Sequence, residues 1–374
     1  MGSIEDEEEK VNFQRIVSAY NFYKVHSFNR ISKTETYLHT LPQNHQELLK
    51  PYREHLDNVR SCIEQNYSVI RLILKDVGYL FENIDPEETE PRTIRIARMT
   101  PVETDQEKVQ STLKQFVRDW SAEGSEERKV CYQPIIDEII NQFPKHLYDS
   151  QTIKVLVPGA GLGRLAFEIA RHGYSCEGNE FSLFMLIASN FVLNRCHGIN
   201  LHQLYPWIHQ CDNNLDTKDQ LASIYFPDIN LSDSIPKNSE FSMVAGDFLE
   251  VYTKENQWHC VSTCFFIDCA NNILSFIEAI YKILKPGGIW INLGPLLYHF
   301  SNMMDQNSIE PSYEMIRDII KGFGFVYEKE KTHVKSKYAQ NPKSMLQYKY
   351  ESVYFVCRKP LSNDTLNNDS GFVS

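Results

Sequence analysis

The feature that most constrains the fold of this chain is a glycine-rich loop at residues 157–165, VPGAGLGRL. The loop stands between an apolar run at residues 153–157, which predicts a strand, and a helical pattern that continues to Arg171. Glycines in such a turn permit a tight backbone and let a ligand approach the N-terminus of the helix. The loop therefore predicts a nucleotide-binding α/β unit.

Short apolar runs alternate with helical patterns after this loop. Strands are predicted at residues 153–157, 175–180, 241–248, 260–268 and 289–293, with helices ending near residues 171 and 194 and a further helix at 272–284. This βαβ order predicts a parallel sheet, and the turn Lys-Pro-Gly-Gly at 285–288 is expected to separate the last helix from the last parallel strand. Residues 323–330 and 347–358 predict a closing antiparallel pair.

A helical segment precedes the sheet. Apolar residues recur there in steps of three and four, at Leu56, Val59, Ile63, Tyr67, Ile70, Leu74 and Val77. Such a stripe is either the core face of a helical pair or the seam of a homodimer, and the spacing does not choose between them.

These patterns predict four regions of the chain. They are a helical N-terminal domain (1–82), an acidic linker (83–107), a catalytic domain (108–361) and a disordered tail (362–374). Within the catalytic domain, residues 195–239 are polar and too long for an ordinary connection before the third strand. We expect this insert to be a lid over the substrate.

Composition limits the partners and the compartment. The formal net charge of -11 and the lack of a basic stripe argue against a nucleic-acid partner, which needs clustered Lys and Arg. Nine Cys without paired spacing predict free thiols in the cytoplasm, with the nucleus as an alternative. The longest apolar stretch, residues 182–193, falls short of the roughly 20 residues that cross a bilayer, so no membrane contact is expected.

The glycine loop alone leaves two cofactors open. Gly161, Gly163 and Ala166 also fit the G-x-G-x-x-A pattern of dinucleotide enzymes, which keeps an NAD-dependent oxidoreductase as an alternative. Glu180 closes the second strand, where a carboxylate can accept both ribose hydroxyls, but NAD enzymes share this feature.

Two further features favour a methyl donor over NAD. Asp247 and Phe248 stand at the end of the third predicted strand, where a carboxylate can accept from an adenine amino group and a ring can stack on the base. The Lys-Pro-Gly-Gly turn before a strand is frequent in class I methyltransferases. An Asp247 that merely caps a turn remains the alternative interpretation.

Six segments carry a family resemblance: STLKQFVRDWS (111–121), VLVPGAGLGRLAFEIA (155–170), GNEFSLFMLIASNFVLNRC (178–196), LYPWIHQ (204–210), TCFFID (263–268) and GGIWINLGPLLYHF (287–300). Through them the chain resembles the carnosine N-methyltransferase family over residues 11–360. The resemblance implies an α/β fold with a class I methyltransferase (Rossmann-like) sheet, a helical N-terminal domain and the insert before the third strand.

The resemblance also implies a reaction. The methyl group of S-adenosyl-L-methionine would pass to the π nitrogen of the histidine imidazole in carnosine (β-alanyl-L-histidine), giving anserine and S-adenosyl-L-homocysteine. Other histidine-containing dipeptides or tripeptides are further candidate substrates. A protein-histidine N-methyltransferase is the main alternative.

Site residues follow from the same resemblance. Seven positions match contacts of S-adenosylmethionine: Gln115, Arg118, Gly159, Glu180, Asp247, Phe248 and Cys264. Asp268, His299 and Tyr350 match residues that hold carnosine, with Tyr348 nearby. From the residues alone, Gln115 and Arg118 would be an exposed helix face.

The chemistry of an imidazole explains why Asp268 is the predicted catalytic residue. Only the ring nitrogen with a free lone pair can attack the methyl group, so the tautomer decides which nitrogen reacts. Asp268 can accept the N–H of the opposite nitrogen and stabilise the imidazolium that methylation forms. His299, after the fifth strand, is expected at the same edge of the sheet. Alternation places the phenols of Tyr348 and Tyr350 on one face of the strand predicted at 347–358.

No metal is expected from the sequence. His259, Cys260, Cys264 and Cys269 lie close together in the chain, but their spacing matches no zinc pattern. Strand alternation would also divide them between the two faces of the sheet.

Overall fold

A computed structural model describes residues 4–75, 77–80, 101–232 and 234–361, within two compact units. The first unit takes its residues from Met1–Gly124, Leu183–Leu231 and Ala339–Gln347. The second takes its residues from Ser125–Ser182, Ser232–Tyr338 and Tyr348–Ser374.

The helices and strands follow the predicted alternation. The helices are α1 (Ile4–His39), α2 (Gln43–Leu48), α3 (Lys50–Leu74), α4 (Glu103–Trp120), α5 (Ser125–Cys131), α6 (Gln133–Gln142), α7 (Arg164–Arg171), α8 (Leu183–Arg195), α9 (Thr217–Gln220), α10 (Phe248–Val251), α11 (Ile273–Ile283) and α12 (Tyr313–Gly322). The strands are β1 (Lys154–Pro158), β2 (Ser175–Glu180), β3 (His202–Leu204), β4 (Ile224–Phe226), β5 (Phe241–Ala245), β6 (Trp258–Cys264), β7 (Leu284–Gly294), β8 (Val326–Ser336) and β9 (Tyr350–Arg358).

The second unit is built on a seven-stranded sheet of order β5-β2-β1-β6-β7-β9-β8. The first five strands of this order are parallel, and β9 runs antiparallel to both β7 and β8. This topology confirms the predicted α/β fold, including the parallel strands and the closing antiparallel pair. Buried side chains on both faces explain the near-continuous apolar runs of β1, β6 and β7.

Several strand boundaries differ from the prediction, since β5 ends at Ala245, β8 spans Val326–Ser336 and β9 begins at Tyr350. The strand predicted at 260–268 already ends at Cys264, because Phe265 has a positive φ of 54° that breaks the extended backbone. The Lys-Pro-Gly-Gly segment is not a separate turn but an irregular part of β7. The pairing with β6 shifts there between Trp258 and Cys260, and Gly287 has a φ of 80°.

The first unit explains the apolar stripe of α3. Leu56, Val59, Ile63 and Ile70 are buried, and α3 packs against α1, α8 and β3 of the same unit. The stripe is therefore a core face within the chain. Because it is covered in this way, it no longer supports a homodimer seam, and dimerisation through the N-terminal helices stays a prediction without that support.

The two units divide the chain differently from the predicted domains. Residues 195–231 of the insert belong with the N-terminal helices, whereas residues 234–239 belong with the sheet. The last part of the predicted linker is helical, since α4 begins at Glu103. The rest of that linker up to residue 100 and the predicted tail at 362–374 lie outside the described residues.

Buried hydrogen bonds hold the insert in the first unit. The Asn66 amide on α3 donates to the Tyr205 carbonyl at 2.9 Å and accepts from the Tyr205 N–H at 2.8 Å. On the same helix, His55 contacts the Gln220 side chain at 2.8 Å. Polar groups buried in this way require partners, so the insert is fixed to α3 by side chains that lie far from it in sequence.

Candidate active site

The candidate residues of the second unit converge on one edge of the sheet. Parallel strands end at a common edge, and β1, β2, β5, β6 and β7 deliver Gly159, Glu180, Asp247, Cys264 and His299 to it. Strand β9 is antiparallel to β7, with Gly294 paired to Val353, so the beginning of β9 lies at the same edge. Carboxyl ends of parallel strands are the usual ligand sites of open α/β sheets.

The glycine loop has the backbone that its sequence predicts. Gly159, Gly161 and Gly163 have φ values of 65°, 57° and 83°, which other residues rarely adopt. A Cβ atom at Gly159 would collide with the ring of Phe266, so the chain passes that ring only because the side chain is missing. The loop is therefore both left-handed and close-packed.

Glu180 ties this loop to the end of β2. Its Oε2 accepts from the N–H of Gly161 at 2.8 Å, and its Oε1 accepts from the N–H of Ser182 at 2.8 Å. Burial raises the pKa of Glu180, while these main-chain donors lower it. A carboxylate has about four acceptor positions, so two remain for the hydroxyls of a ribose.

Asp247, Phe248 and Cys264 form the next part of the edge. Asp247 is the N-cap of α10, and its Oδ1 accepts from the Leu249 N–H at 2.7 Å. The Phe248 ring is buried in an aromatic cluster with Tyr252, Phe266 and Phe276. Cys264 is buried at the end of β6, with Sγ 3.9 Å from the carbonyl of Cys131.

Asp268 and His299 come together although they belong to different strand ends. Asp268 lies in a single turn of 3-10 helix, Ile267–Cys269, and only 2% of its surface is exposed. Its Oδ2 accepts from the Leu297 N–H at 2.6 Å, and its carbonyl accepts from the His299 N–H at 3.2 Å. Asp268 is therefore a buried carboxylate that a main-chain hydrogen bond holds in one orientation.

The electrostatics of this region are dominated by burial. Burial raises the pKa of Asp268, while the Leu297 hydrogen bond and the charge of His299 lower it. Cys269 is half-buried beside it, and burial together with Asp268 and Glu180 raises the pKa of its thiol. The raised pKa favours the protonated thiol as long as no cation contacts it, so Cys269 is a poor nucleophile.

An aromatic group adjoins Asp268. The Phe265 ring lies 5.1 Å from the Tyr338 ring and 6.0 Å from the Tyr350 ring, the latter edge-on at 78°. Burial raises the pKa of Tyr350, and the charge of Asp268 adds to the effect. Tyr348 does not share a strand face with Tyr350, because β9 begins at Tyr350 and Tyr348 is 60% exposed before it.

Gln115 and Arg118 lie on α4 of the first unit. Both are buried, at 4% and 3% exposed, so the exposed helix face inferred from their spacing alone is wrong. The Gln115 amide donates to Oδ2 of Asp119 at 3.2 Å.

Sequence patterns missed three residues of this edge. Phe265 lies within an apolar run that predicts a continuous strand, and its own residue type does not indicate a left-handed backbone. Leu297 contributes only its main-chain N–H, and Tyr338 lies on a connecting segment. The sequence signal for the backbone of Phe265 is Gly294, because a Cβ atom at that position would approach the Phe265 nitrogen to 3.0 Å.

The seven-stranded sheet, with β9 antiparallel between β7 and β8, and the glycine loop after β1 have the arrangement of a class I methyltransferase, an enzyme that uses S-adenosylmethionine. The family model described as carnosine N-methyltransferase matches residues 96–361. The chain therefore belongs to the carnosine N-methyltransferase family.

Three relatives show how extensive the similarity is. Carnosine N-methyltransferase of Mus musculus is 50% identical over 362 residues, which cover 96% of this chain and 89% of that protein. Carnosine N-methyltransferase unmet of Drosophila melanogaster is 50% identical over 372 residues, which cover 96% of this chain and 81% of that protein. Carnosine N-methyltransferase of Schizosaccharomyces pombe is 38% identical over 370 residues, which cover 94% of this chain and 97% of that protein. These findings do not favour an NAD-dependent oxidoreductase.

No helix among the described residues combines the length and the apolar character needed to cross a membrane.

Proposed function

We propose that this enzyme methylates the π nitrogen of the histidine imidazole in carnosine, giving anserine, and accepts other small histidine peptides. The observation that supports it most is the buried Asp268 carboxylate, whose Oδ2 accepts from the Leu297 N–H, in a residue whose main-chain carbonyl accepts from the His299 N–H. A neutral imidazole needs an acceptor for the N–H opposite its reacting nitrogen, and this carboxylate supplies one.

Asp268 acts on the tautomer and on the charge of the ring. Its Oδ2 is engaged by Leu297, so Oδ1 accepts the imidazole N–H and leaves the other ring nitrogen with a free lone pair. As the ring becomes an imidazolium, the carboxylate stabilises the new positive charge within a buried site, where such an interaction is strong. His299 and Tyr350 would hold the rest of the dipeptide by hydrogen bonds.

The residues around the glycine loop fit S-adenosylmethionine, which supplies the methyl group when bound. Glu180 keeps acceptor positions for the two ribose hydroxyls beyond its bonds to Gly161 and Ser182. Phe248 is the first residue of α10, so its main-chain N–H lies at the start of the helix. This N–H and the Asp247 carboxylate would form hydrogen bonds with the edge of the adenine. Gly159 leaves room beside the Phe266 ring, Cys264 would pack against the base, and Gln115 and Arg118 would hold the amino-acid end.

We also propose that residues 195–239 cover the substrate. Methyl transfer requires no nucleophile from the enzyme, so most of the rate enhancement must come from alignment and exclusion of water. The buried bonds from Asn66 and His55 hold the Tyr205 and Gln220 parts of this insert in a defined conformation. A cover that is ordered in advance loses less entropy when it closes.

A mass-spectrometric assay tests the proposed function. The purified chain is incubated with methyl-labelled S-adenosylmethionine and carnosine, and fragmentation must place the label on the π nitrogen. A second reaction replaces carnosine with a cell extract. Label on protein histidine without any labelled dipeptide would reject carnosine and support the protein-histidine alternative. Calorimetry with S-adenosylmethionine and with NAD checks the cofactor, and binding of NAD alone would contradict the class.

The cytoplasm or the nucleus is the compartment that we infer for this reaction. Seven of the nine cysteines are buried as free thiols, which is the state expected in a reducing environment.

A further inference from the structure

The turn after β6 and the loop after β7 bring together three metal-binding side chains. A carboxylate oxygen of Asp268, the Sγ of Cys269 and a ring nitrogen of His299 all lie within 4.8 Å of one another. Asp268 and Cys269 are adjacent in the Ile267–Cys269 turn, and the His299 N–H is bonded to the Asp268 carbonyl. The fold thus assembles a cluster that the chain's Cys and His spacing does not show.

We propose that Asp268, Cys269 and His299 bind a transition-metal ion of the Zn²⁺ class, and that a bound ion blocks methyl transfer. Ligand atoms around tetrahedral zinc are about 3.5 Å apart, given Zn–ligand bonds of roughly 2.0 to 2.3 Å. Separations of up to 4.8 Å must therefore contract by at most about 1.3 Å, and His299 is the exposed member of the cluster, whereas Asp268 is buried.

The donor set selects the class of ion. One thiolate, one imidazole and one carboxylate suit Zn²⁺, whereas Mg²⁺ and Ca²⁺ require oxygen ligands. When the ion binds, the Cys269 thiol releases its proton to solvent, and the resulting thiolate and the carboxylate together neutralise the two charges of the ion. Three protein ligands leave a fourth position open, which is the arrangement of an accessible zinc site and not of a closed structural one.

The inhibitory effect rests on the proposed function, because Asp268 and His299 are also the residues proposed to hold the substrate. A metal ion on these side chains removes the acceptor for the imidazole N–H. If the substrate ring itself took the open position, a neutral imidazole bound through one nitrogen would carry hydrogen on the other. That nitrogen could not attack a methyl group, so either arrangement stops the reaction.

Metal binding is tested without any activity measurement. Full-length chain, freed of metal by a chelator, is dialysed against Zn²⁺ and analysed for bound metal, as wild type, Cys269→Ser and the control Cys211→Ser. Cys211 is exposed and is not part of the cluster. Wild type and Cys211→Ser are expected to bind one ion more than Cys269→Ser. With Co²⁺ as the probe, they should show a thiolate-to-metal charge-transfer band that Cys269→Ser lacks.

Equal Zn²⁺ binding by all three proteins, or a charge-transfer band that persists in Cys269→Ser, would overturn the site. Thermal unfolding of each variant checks that it is folded. If Cys269→Ser unfolds, Cys269→Ala replaces it.

Inhibition is tested separately on methyl transfer to carnosine. With chelator present, the three proteins are expected to have similar rates. Added Zn²⁺ should inhibit wild type and Cys211→Ser at concentrations at least about tenfold below those that affect Cys269→Ser, because loss of a ligand weakens binding by that order or more. Zn²⁺ binding without inhibition would reject the regulatory part alone. If no protein methylates carnosine, the proposed function fails while the dialysis still decides the metal site.

Discussion

The main-chain N–H of Leu297 donates a 2.6 Å hydrogen bond to Oδ2 of Asp268, which joins the loop after β7 to the turn after β6. The carboxylate is 2% exposed and cannot rotate without breaking this bond. A single main-chain donor therefore fixes which carboxylate oxygen is available to a ligand. A residue on a short turn is thus held in the orientation that the proposed catalytic role requires.

Replacing Asp268 with Asn should abolish most methyl transfer while S-adenosylmethionine still binds. The amide is similar in shape and can accept from Leu297, but it lacks the charge that stabilises an imidazolium. We expect kcat to fall by about 100-fold or more, the range of a lost acid–base group. Labelled-methyl kinetics and calorimetry measure the two effects, and Asp318→Asn, an exposed carboxylate of the same unit, is the control. Retained activity in Asp268→Asn would refute its assigned role.

The same substitution should stabilise the fold at neutral pH. Burial raises the pKa of Asp268, so the folded state holds the proton more tightly than the unfolded state does. The ionised carboxylate therefore costs free energy above its folded pKa, and the cost disappears as the pH falls toward the unfolded value of about 3.9. Urea unfolding should show Asp268→Asn more stable than wild type at pH 7.5, with a gap that closes on acidification. A gap independent of pH would contradict this.

Replacing Gly159 with Ala should damage cofactor binding and stability together. The residue has a φ of 65°, which costs about 1–2 kcal/mol with a side chain, and the added Cβ would collide with the Phe266 ring. We expect a lower free energy of unfolding and a weaker affinity for S-adenosylmethionine. Gly322→Ala is the matched control, because nothing lies within 4 Å of its added Cβ. If both variants behave alike, close packing at the loop is not what the glycine provides.

Replacing Asn66 with Ala should loosen the insert. The change leaves the partly buried N–H and carbonyl of Tyr205 without their side-chain partner, which costs about 1–3 kcal/mol. Hydrogen exchange should accelerate between β3 and β4, and the KM for the dipeptide should rise if the insert covers the substrate. Asn194→Ala, which removes an exposed side-chain bond to Asn190, serves as the control. Faster exchange with unchanged kinetics would reject the covering role alone.

His209 should make the first unit sensitive to acid. Its Nε2 accepts from the Tyr23 hydroxyl at 2.9 Å, since that hydroxyl already accepts from Asn66. Burial, with smaller effects from Arg30, Lys114 and His26, lowers the pKa of His209 to about 3.

The sign of the pH effect follows from the depressed pKa. Above the unfolded pKa of about 6.5 the stabilisation by neutral His209 is complete, and it is lost as the pH falls toward 3, by up to about 1.4 kcal/mol per unit. Unfolding free energies of His209→Gln should vary less with pH in that window than those of wild type. His45→Gln, at an exposed position, should leave the wild-type dependence unchanged. An equally steep loss in His209→Gln would contradict the assignment.

Local periodicity predicted the sheet because each strand and helix of the second unit carries its own apolar pattern. The right-handed connection of parallel strands then places Glu180, Asp247 and Asp268 at one edge. Burial of Asp268 could not be predicted in this way, since it depends on Leu297 and the loop after β7. The left-handed backbone of Phe265 depends in the same way on close approach to Gly294.

The assignment of the insert to the helical unit also lay beyond local patterns. Asn66, His55 and Tyr23 are ordinary helix residues in the sequence, and their partners are more than a hundred residues away. Residue spacing did not predict the cluster of Asp268, Cys269 and His299 for a similar reason. Spacing rules identify metal ligands within one segment of the chain, whereas these three residues come from two segments.

Strand β9 lies between β7 and β8 although it is the last strand of the sheet in chain order. It also begins with Tyr350 at the ligand edge. During synthesis the parallel core can form before this strand leaves the ribosome, because chains are made from the N-terminus. The edge of β7 then stays open until residue 358 has emerged. A nascent chain can thus assemble the glycine loop well before the strand that carries Tyr350 joins the sheet, so the proposed acceptor site would be completed late in synthesis.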